Sequence, residues 1–221
     1  MNTNKTDSYQ YIDMARKDIL DMIPLEGKVI GSIGCGRAKT ESILVAQGRE
    51  VHGVDVSADA IEVAKGRITT AKCIEPTDRL PFEKESLDGL ILADVLEHLP
   101  LAWKFLESYT TMLKPGGWIV ISVPNMRYLP ALYMLLINGD WPECRLGIFD
   151  ETHIQVMTHK RLSRWCDKAG LSRVKWCDCY DYRFIYRNIS RIANIFSFKF
   201  FRSFFVFEVQ GVFVKMNSRI K

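Results

Sequence analysis

Short apolar runs, separated by segments with helical spacing, recur along the first 125 residues of this 221-residue chain. Each run has the length and the apolar content of a strand that is buried on both faces of a parallel sheet. The first predicted strand is the short apolar run that starts at about Lys28 and ends at the glycine turn, and the others cover 51–55, 67–74, 87–93 and 118–123. The predicted helices cover 40–48, 57–65 and 101–113. Because strands and helices alternate, the pattern predicts an α/β fold with a doubly wound, mostly parallel sheet and helices on both faces.

The patterns near the two ends of the chain are less regular. Apolar positions three and four residues apart predict a helix over 7–22, ahead of the first strand. Beyond residue 125 we expect helices over 128–137 and 158–169, a long loop over 138–153, a strand over 171–180 and an insertion of helical character over 182–203. Alternating apolar and polar residues over 205–216 predict a last strand with one partly wet face, which is typical of an antiparallel edge hairpin.

A glycine turn follows the first predicted strand. Gly34 and Gly36 flank Cys35 where the strand ends and a helical pattern begins. Glycine lets the backbone approach a ligand, and a helix N-terminus offers unpaired N–H groups, so the turn is a candidate nucleotide site. The second predicted strand ends at Asp55, where a carboxylate would accept hydrogen bonds from ribose hydroxyls. The alternative role for Asp55 is to cap the helix that begins at Ser57.

Composition and charge add further constraints. Hydrophobic residues make up 48% of the chain, enough for a substantial core in one domain, and no apolar run reaches the length of a membrane span. The six cysteines contain no Cys-x-x-Cys pair, which predicts reduced thiols, a cytoplasmic protein and no metal site. Residues 1–150 carry 16 Lys and Arg against 21 Asp and Glu, whereas residues 151–221 carry 14 against 5. That basic last third is either a solvated face or a surface for an anionic ligand or an anionic lipid membrane.

Several segments, in this order, resemble the motifs of the class I S-adenosylmethionine-dependent methyltransferases. They are Gly34-Cys35-Gly36, Asp55, Leu80-Pro81-Phe82, Ala93 to Leu99 and Leu113 to Gly117. The resemblance covers about residues 25–125 and implies a Rossmann-like, seven-stranded sheet whose last strand is antiparallel. It also implies one methyltransferase domain over 1–221, with an N-terminal helix in 1–24, the cofactor core in 25–125 and acceptor-side insertions in 126–160 and 180–204.

The resemblance implies S-adenosylmethionine as the cofactor and gives roles to individual residues. Gly34, Cys35 and Gly36 would lie against its methionine part, and Asp55 would bind the ribose hydroxyls. The residues implied at the two ends of the cofactor are Val56 and Thr77 near the adenine, and Ala93, Asp94 and His98 near the methionine and the sulfonium. Because a sulfonium already activates the methyl group, the protein has mainly to align an acceptor and remove its proton.

Two positions depart from the family pattern. The family usually has an acid two residues before the first glycine, where this chain has Ser32, and often an acid in the adenine loop, where Pro76 or Thr77 stands. Serine offers no charge to the cofactor ammonium group, so a non-catalytic or regulatory cofactor-binding protein is the alternative to an enzyme. A nicotinamide oxidoreductase is disfavoured, because Lys39 stands at the third glycine position of Gly-x-Gly-x-x-Gly.

The segment from Gly147 to His153 resembles a loop that closes over the acceptor in a subgroup associated with cell-surface polysaccharide and sugar modification. It implies methyl transfer to an oxygen of a small or sugar-type acceptor, and the basic last third favours an anionic derivative. Transfer to N or C of another small molecule is the alternative, and a nucleic-acid acceptor is disfavoured. We expect His153 to be the general base, or else to fasten the loop by hydrogen bonds, and we expect His98 to be structural.

Overall fold

The computed structural model describes residues 13–75, 80–179 and 202–216. Seven strands form one sheet in the order β3-β2-β1-β4-β5-β7-β6. They are β1 (Val29–Ile33), β2 (Glu50–Asp55), β3 (Thr70–Cys73), β4 (Leu87–Ala93), β5 (Leu113–Pro124), β6 (Leu171–Cys179) and β7 (Glu208–Lys215). Strands β1 to β5 pair in parallel, and β7 runs antiparallel to β5 and to β6. The predicted Rossmann-like, seven-stranded sheet with an antiparallel last strand is confirmed.

Helices pack on both faces of this sheet. In the described part of the chain they are α1 (Lys17–Leu20), α2 (Lys39–Ala46), α3 (Ala58–Ala64), α4 (Ala102–Met112), α5 (Leu129–Ile137) and α6 (His159–Lys168). Side chains of α1, α2 and α3 share one apolar cluster with the sheet, and side chains of α4 and α6 share another. Because strand side chains alternate between faces, the neighbours Leu90 and Ile91 enter different clusters. Coverage of both faces explains the nearly continuous apolar runs.

The position of the last strand differs from the prediction. β7 lies between β5 and β6, so neighbours pair with both of its edges, and residues 208–213 are buried. The predicted antiparallel pair at the edge of the sheet is present as β7 and β6, but the predicted partly wet face is wrong, because β7 is the inner strand of that pair. The polar residues Glu208 and Gln210 are buried because they contact the N-terminal segment, where Gln210 Nε2 donates to Asp18 Oδ2 at 2.6 Å.

The N-terminal helix is shorter than predicted. Residues 13–16 are not helical, and 1–12 lie outside the described residues. The backbone N–H of Arg16 donates to Thr40 Oγ1 at 3.0 Å, which takes the place of a bond to a preceding helical turn. Long-range contacts of Arg16 thus override the local periodicity. Ile19 and Met22, two members of the predicted apolar stripe, are buried as expected.

Other element boundaries also differ from the predicted ones. The third strand covers only 70–73, and residues 114–117, predicted to end a helix, belong to β5. Most of the predicted insertion over 182–203 lies outside the described residues, which resume at a short 3-10 turn, Arg202–Phe204. Among the described residues, no helix is long and apolar enough to cross a membrane.

Candidate active site

The carboxyl ends of four parallel strands meet at one edge of the sheet. β1, β2, β4 and β5 end there at residues 33, 55, 93 and 124, and Glu208 at the start of β7 pairs with Pro124 at the same edge. Ligands of doubly wound sheets bind in the crevice outside these strand ends. The candidate cofactor residues that follow β1, β2 and β4 in sequence are thereby brought to one place.

The glycine turn after β1 is held against the end of β2. The N–H groups of Gly34 and Cys35 donate to the Val54 carbonyl at 2.8 and 3.1 Å. Gly34 has a φ of 71°, and a Cβ at this position would lie 2.7 Å from Val95 Cγ2, so conformation and space both require glycine. The Cys35 thiol is turned into the core, where a Cβ on Gly53 would lie 2.7 Å from Sγ. Burial raises the pKa of this thiol, so the backbone of Cys35 is the part suited to a ligand.

Asp55 is buried and joins the glycine turn to the start of α3. Its Oδ2 accepts from the N–H of Gly36 at 2.7 Å, and its Oδ1 accepts from the N–H of Ser57 at 2.9 Å. The capping oxygen of α3 belongs to Ser57, whose Oγ accepts from the N–H of Ala60 at 3.2 Å. Ser57 is therefore the N-cap of α3, and Asp55 contributes only by accepting a hydrogen bond from the N–H of Ser57.

Ser32 contacts an acid that the sequence analysis did not single out. Its hydroxyl donates to Glu41 Oε1 at 2.8 Å, and both side chains are buried. Burial raises the pKa of Glu41. The sequence shows that Glu41 lies in the first turn of the helix that follows the glycine turn. Helical spacing does not show that its side chain faces inwards. The turn thus has a carboxyl group beside Ser32, supplied from α2.

The other residues that the resemblance places at the cofactor are partly open to solvent. Val56 is 46% exposed, and Ala93 ends β4 with an intermediate exposure. Asp94 follows with a φ of 54°, and its N–H donates to the Ser122 carbonyl at 3.1 Å. Such a conformation is uncommon for a residue with a Cβ and is often found at ligand sites. Thr77 lies outside the described residues.

An ion-pair network that sequence reasoning missed crosses this edge. Arg16 donates to Asp94 Oδ2 at 2.6 Å, to Glu208 Oε1 at 2.7 Å and to Asp18 Oδ2 at 2.6 Å. Although burial opposes it, the three carboxylates raise the pKa of Arg16. Burial and the Asp94 carboxylate raise the pKa of Glu208 to about 7. Arg16 and Glu208 are 192 positions apart, so no local pattern relates them.

The long loop after α5 brings His153 to residues just beyond β4. The N–H groups of Ile154 and Gln155 donate to the Glu97 carbonyl at 2.9 and 3.1 Å, which fixes the loop to the 3-10 turn Leu96–His98. The His98 and His153 ring centroids lie 4.8 Å apart. Burial and the neighbouring His98 lower the pKa of His153, so its imidazole is neutral at pH 7 and has a lone pair to offer.

Comparison with known proteins agrees with this geometry. Residues 32–121 match the family model described as a methyltransferase domain. The ubiquinone biosynthesis O-methyltransferase of Coxiella burnetii is 25% identical over 160 residues, which cover 70% of this chain and 68% of that protein. A SAM-dependent methyltransferase from Archaeoglobus fulgidus is 22% identical, with a TM-score of 0.63 over 85% of this chain and 86% of that one. The [4+2]-cyclase SpnF is 15% identical, with a TM-score of 0.63 over 90% of this chain and 80% of that one.

The two structural likenesses establish the fold. The matched domain contains the glycine turn, Asp55 and the end of β4, and relatives named as methyltransferases extend the match beyond it. The chain is an S-adenosylmethionine-dependent methyltransferase, and S-adenosylmethionine is its cofactor.

Proposed function

We propose that this enzyme transfers the methyl group of S-adenosylmethionine to a hydroxyl oxygen of a small acceptor. The observation that carries the proposal is the position of His153. Its neutral imidazole lies beside a turn that starts two residues after Asp94, at the carboxyl edge where the cofactor crevice opens. The O-methyltransferase name of the relatives supports oxygen as the accepting atom.

The proposed cofactor position spans the ends of β1, β2 and β4. The backbone of the turn approaches the methionine part, and Asp55 accepts from the ribose hydroxyls. The Asp55 carboxylate lies between the glycine turn and the start of α3, because it accepts from the N–H groups of Gly36 and Ser57. The remaining contacts are those of Val56 and Thr77 with the adenine, and of Ala93, Asp94 and His98 with the methionine and sulfonium end.

The chemistry requires little beyond alignment and loss of one proton. The acceptor oxygen attacks the methyl carbon in line with the sulfonium, the carbon–sulfur bond breaks, and S-adenosylhomocysteine leaves. Holding the two reactants in line replaces a bimolecular encounter and supplies much of the rate enhancement. Removal of the hydroxyl proton depends, in this proposal, on His153.

The class of acceptor stays a prediction. Residues 151–221 carry 14 basic against 5 acidic side chains, which supports an anionic acceptor such as a diphosphate-linked sugar. Exposed charges are screened over about 10 Å at 0.1 M salt, so the apparent KM should rise with ionic strength. A salt-independent KM, together with binding to anionic vesicles, would instead favour a peripheral contact with a membrane surface.

The proposal is tested by methyl transfer from labelled cofactor to a small-molecule extract. His153→Ala should lower kcat by about two to four orders of magnitude while the affinity for S-adenosylhomocysteine changes little. His52→Ala is the matched control, because His52 lies on β2 and contacts Glu50 and Thr70. Tight cofactor binding without any labelled product would favour the non-catalytic alternative.

A further inference from the structure

One buried carboxyl group and two imidazoles converge on the acceptor side. One ligand atom from each of Glu97, His98 and His153 lies within 4.8 Å of the other two. His153 Nε2 is 3.9 Å from Glu97 Oε1. We propose that these three residues bind a divalent metal ion of the zinc, cobalt or iron(II) class, which holds the acceptor hydroxyl. The inference rests on the proposed function and specifies how the same site handles its acceptor.

The carboxyl group of Glu97 is buried and has no hydrogen-bond partner among the described residues. The residue is 0% exposed, and within the described part of the chain neither Oε1 nor Oε2 accepts a hydrogen bond. Leaving a buried carboxylate without a partner costs several kcal/mol, so such a group is either protonated or bound to a cation. A protonated Glu97 would face only the His153 Nε2 lone pair, 3.9 Å from Oε1 and beyond hydrogen-bond distance, whereas a cation between the carboxylate and the two imidazoles can bind all three side chains.

A second cluster shows what a neutralised site looks like in this protein. Asp18, Cys179 and Glu208 also have ligand atoms within 4.8 Å of one another. There Arg16 donates to both carboxylates at 2.6 and 2.7 Å, so the chain itself supplies the cation. In the described part of the chain the ion pairs of Arg16 are with Asp18, Asp94 and Glu208, and none is with Glu97. The contrast singles out Glu97 as the carboxyl group that needs a cation from outside.

The hydrogen bonds of His98 leave the correct nitrogen for a metal. Its Nδ1 lies 3.3 Å from the Thr152 carbonyl, which can only accept, so Nδ1 carries the proton and Nε2 carries a lone pair. The Thr152 hydroxyl donates to Asp150 Oδ1 at 2.5 Å and lies 3.0 Å from the same Nδ1. A ligating histidine is usually held in this way, with its second nitrogen bonded to a carbonyl or a carboxylate system.

The ligand types indicate the class of metal and its role. Two imidazoles and one carboxylate suit zinc and iron(II), and three protein ligands leave coordination positions for a substrate. A hydroxyl bound to such an ion loses its proton near neutral pH, and that proton passes to bulk water. The metal-bound oxygen then takes the methyl group, and S-adenosylhomocysteine leaves as before. In this refinement of the proposed function, His153 promotes loss of the hydroxyl proton by holding the metal and does not take the proton itself. The sequence predicted a general base and no metal.

Cobalt(II) is the probe for the site, because its visible absorption reports on its ligands. The full chain is treated with a chelator and titrated with Co²⁺ by calorimetry and spectroscopy. We expect one ion per chain and no thiolate charge-transfer band. Thr152→Val removes a side chain that orients His98, so it should weaken Co²⁺ binding by about 10- to 100-fold. Glu97→Gln and His153→Gln each change a direct ligand, so each should weaken Co²⁺ binding more than Thr152→Val does. His52→Gln should bind as the parent does.

Several results would overturn the metal site. They are no Co²⁺ binding by the parent, a thiolate band, or unchanged affinity in well-folded Glu97→Gln and His153→Gln proteins. Activity separates this inference from the proposed function. Methyl transfer that persists at the parent rate after chelation would reject the metal and leave the function intact. Stoichiometric metal binding without O-methylation of any acceptor would keep the site and reject the function.

Discussion

Replacing Ser32 with aspartate tests whether the acid of the family pattern is missing or relocated. If Ser32 faced the cofactor, a new carboxylate would strengthen binding through a charge-assisted hydrogen bond. The structure instead gives the Ser32 hydroxyl a carboxyl partner, Glu41 Oε1, at 2.8 Å in a buried position. Ser32→Asp would therefore remove a donor and place two carboxyl groups in contact, so that they share one proton.

The expected magnitude follows from that contact. A hydrogen bond to a charged group contributes about 1.5–3 kcal/mol, and overpacking a buried site costs about 1–3 kcal/mol, so we expect a loss of about 3 kcal/mol in the free energy of unfolding. For a domain of this size that corresponds to a fall of about 6–12 °C in Tm. Ser32→Ala, which removes only the hydrogen bond, should lose about half as much.

Urea unfolding at several pH values is the assay. The pKa of Glu41 is raised on folding, so its contribution to stability is present below the unfolded pKa near 4.5 and is lost as pH rises through the folded pKa. The Ser32→Asp penalty should therefore grow from pH 5 to pH 8. Adding Glu41→Gln should restore much of the loss, because the amide can donate to Asp. A Ser32→Asp protein that is as stable as the parent at pH 8 and binds S-adenosylhomocysteine more tightly would refute the reasoning.

Three further substitutions test other parts of the account. Asp55→Ala should weaken S-adenosylhomocysteine binding by about ten- to a hundredfold in calorimetry, since a ribose diol and the Gly36 N–H lose a charged acceptor; unchanged affinity would mean that the carboxylate only organises the turn. Arg16→Gln should destabilise the fold by about 1–3 kcal/mol in urea, because three carboxylates lose their cation, while solvent partly screens Arg16 and Asp94, whose side chains are 34% and 40% exposed; a stable variant would show that the network is dispensable. Gly89→Ala would place its Cβ 2.2 Å from the Trp118 ring and should lower Tm by several degrees, unless the indole can move away without loss.

The part of the fold that sequence patterns predicted well is the part determined by local spacing and burial. β4 matches its predicted bounds, and β1 lies in the apolar run before the glycine turn, since strands covered on both faces read as apolar runs. A wet face of β7 was predicted wrongly because buried Glu208 and Gln210 resemble a solvent-facing alternation. Their partners lie in the N-terminal segment, almost 200 residues away.

The same distinction applies to the candidate site. Gly34 and Asp55 follow neighbouring strands and stand in recognisable spacing, so sequence could point to them. Glu41 and Arg16 carry no such signal, because only packing decides that one turns inwards and the other reaches Asp94. Glu97 lies in the segment from Ala93 to Leu99 that resembles a methyltransferase motif, but only the three-dimensional structure shows that its carboxyl group is buried without a hydrogen bond among the described residues.

The most direct test of the central claim is the chemical identity of the transferred methyl group. The full chain is incubated with cofactor carrying a carbon-13 methyl and with the acceptor fraction that takes up label, and the purified product is examined by carbon NMR. O-methylation predicts a single enriched methyl signal in the methyl-ether region, formed in step with S-adenosylhomocysteine. An enriched methyl bonded to nitrogen or carbon would contradict the account.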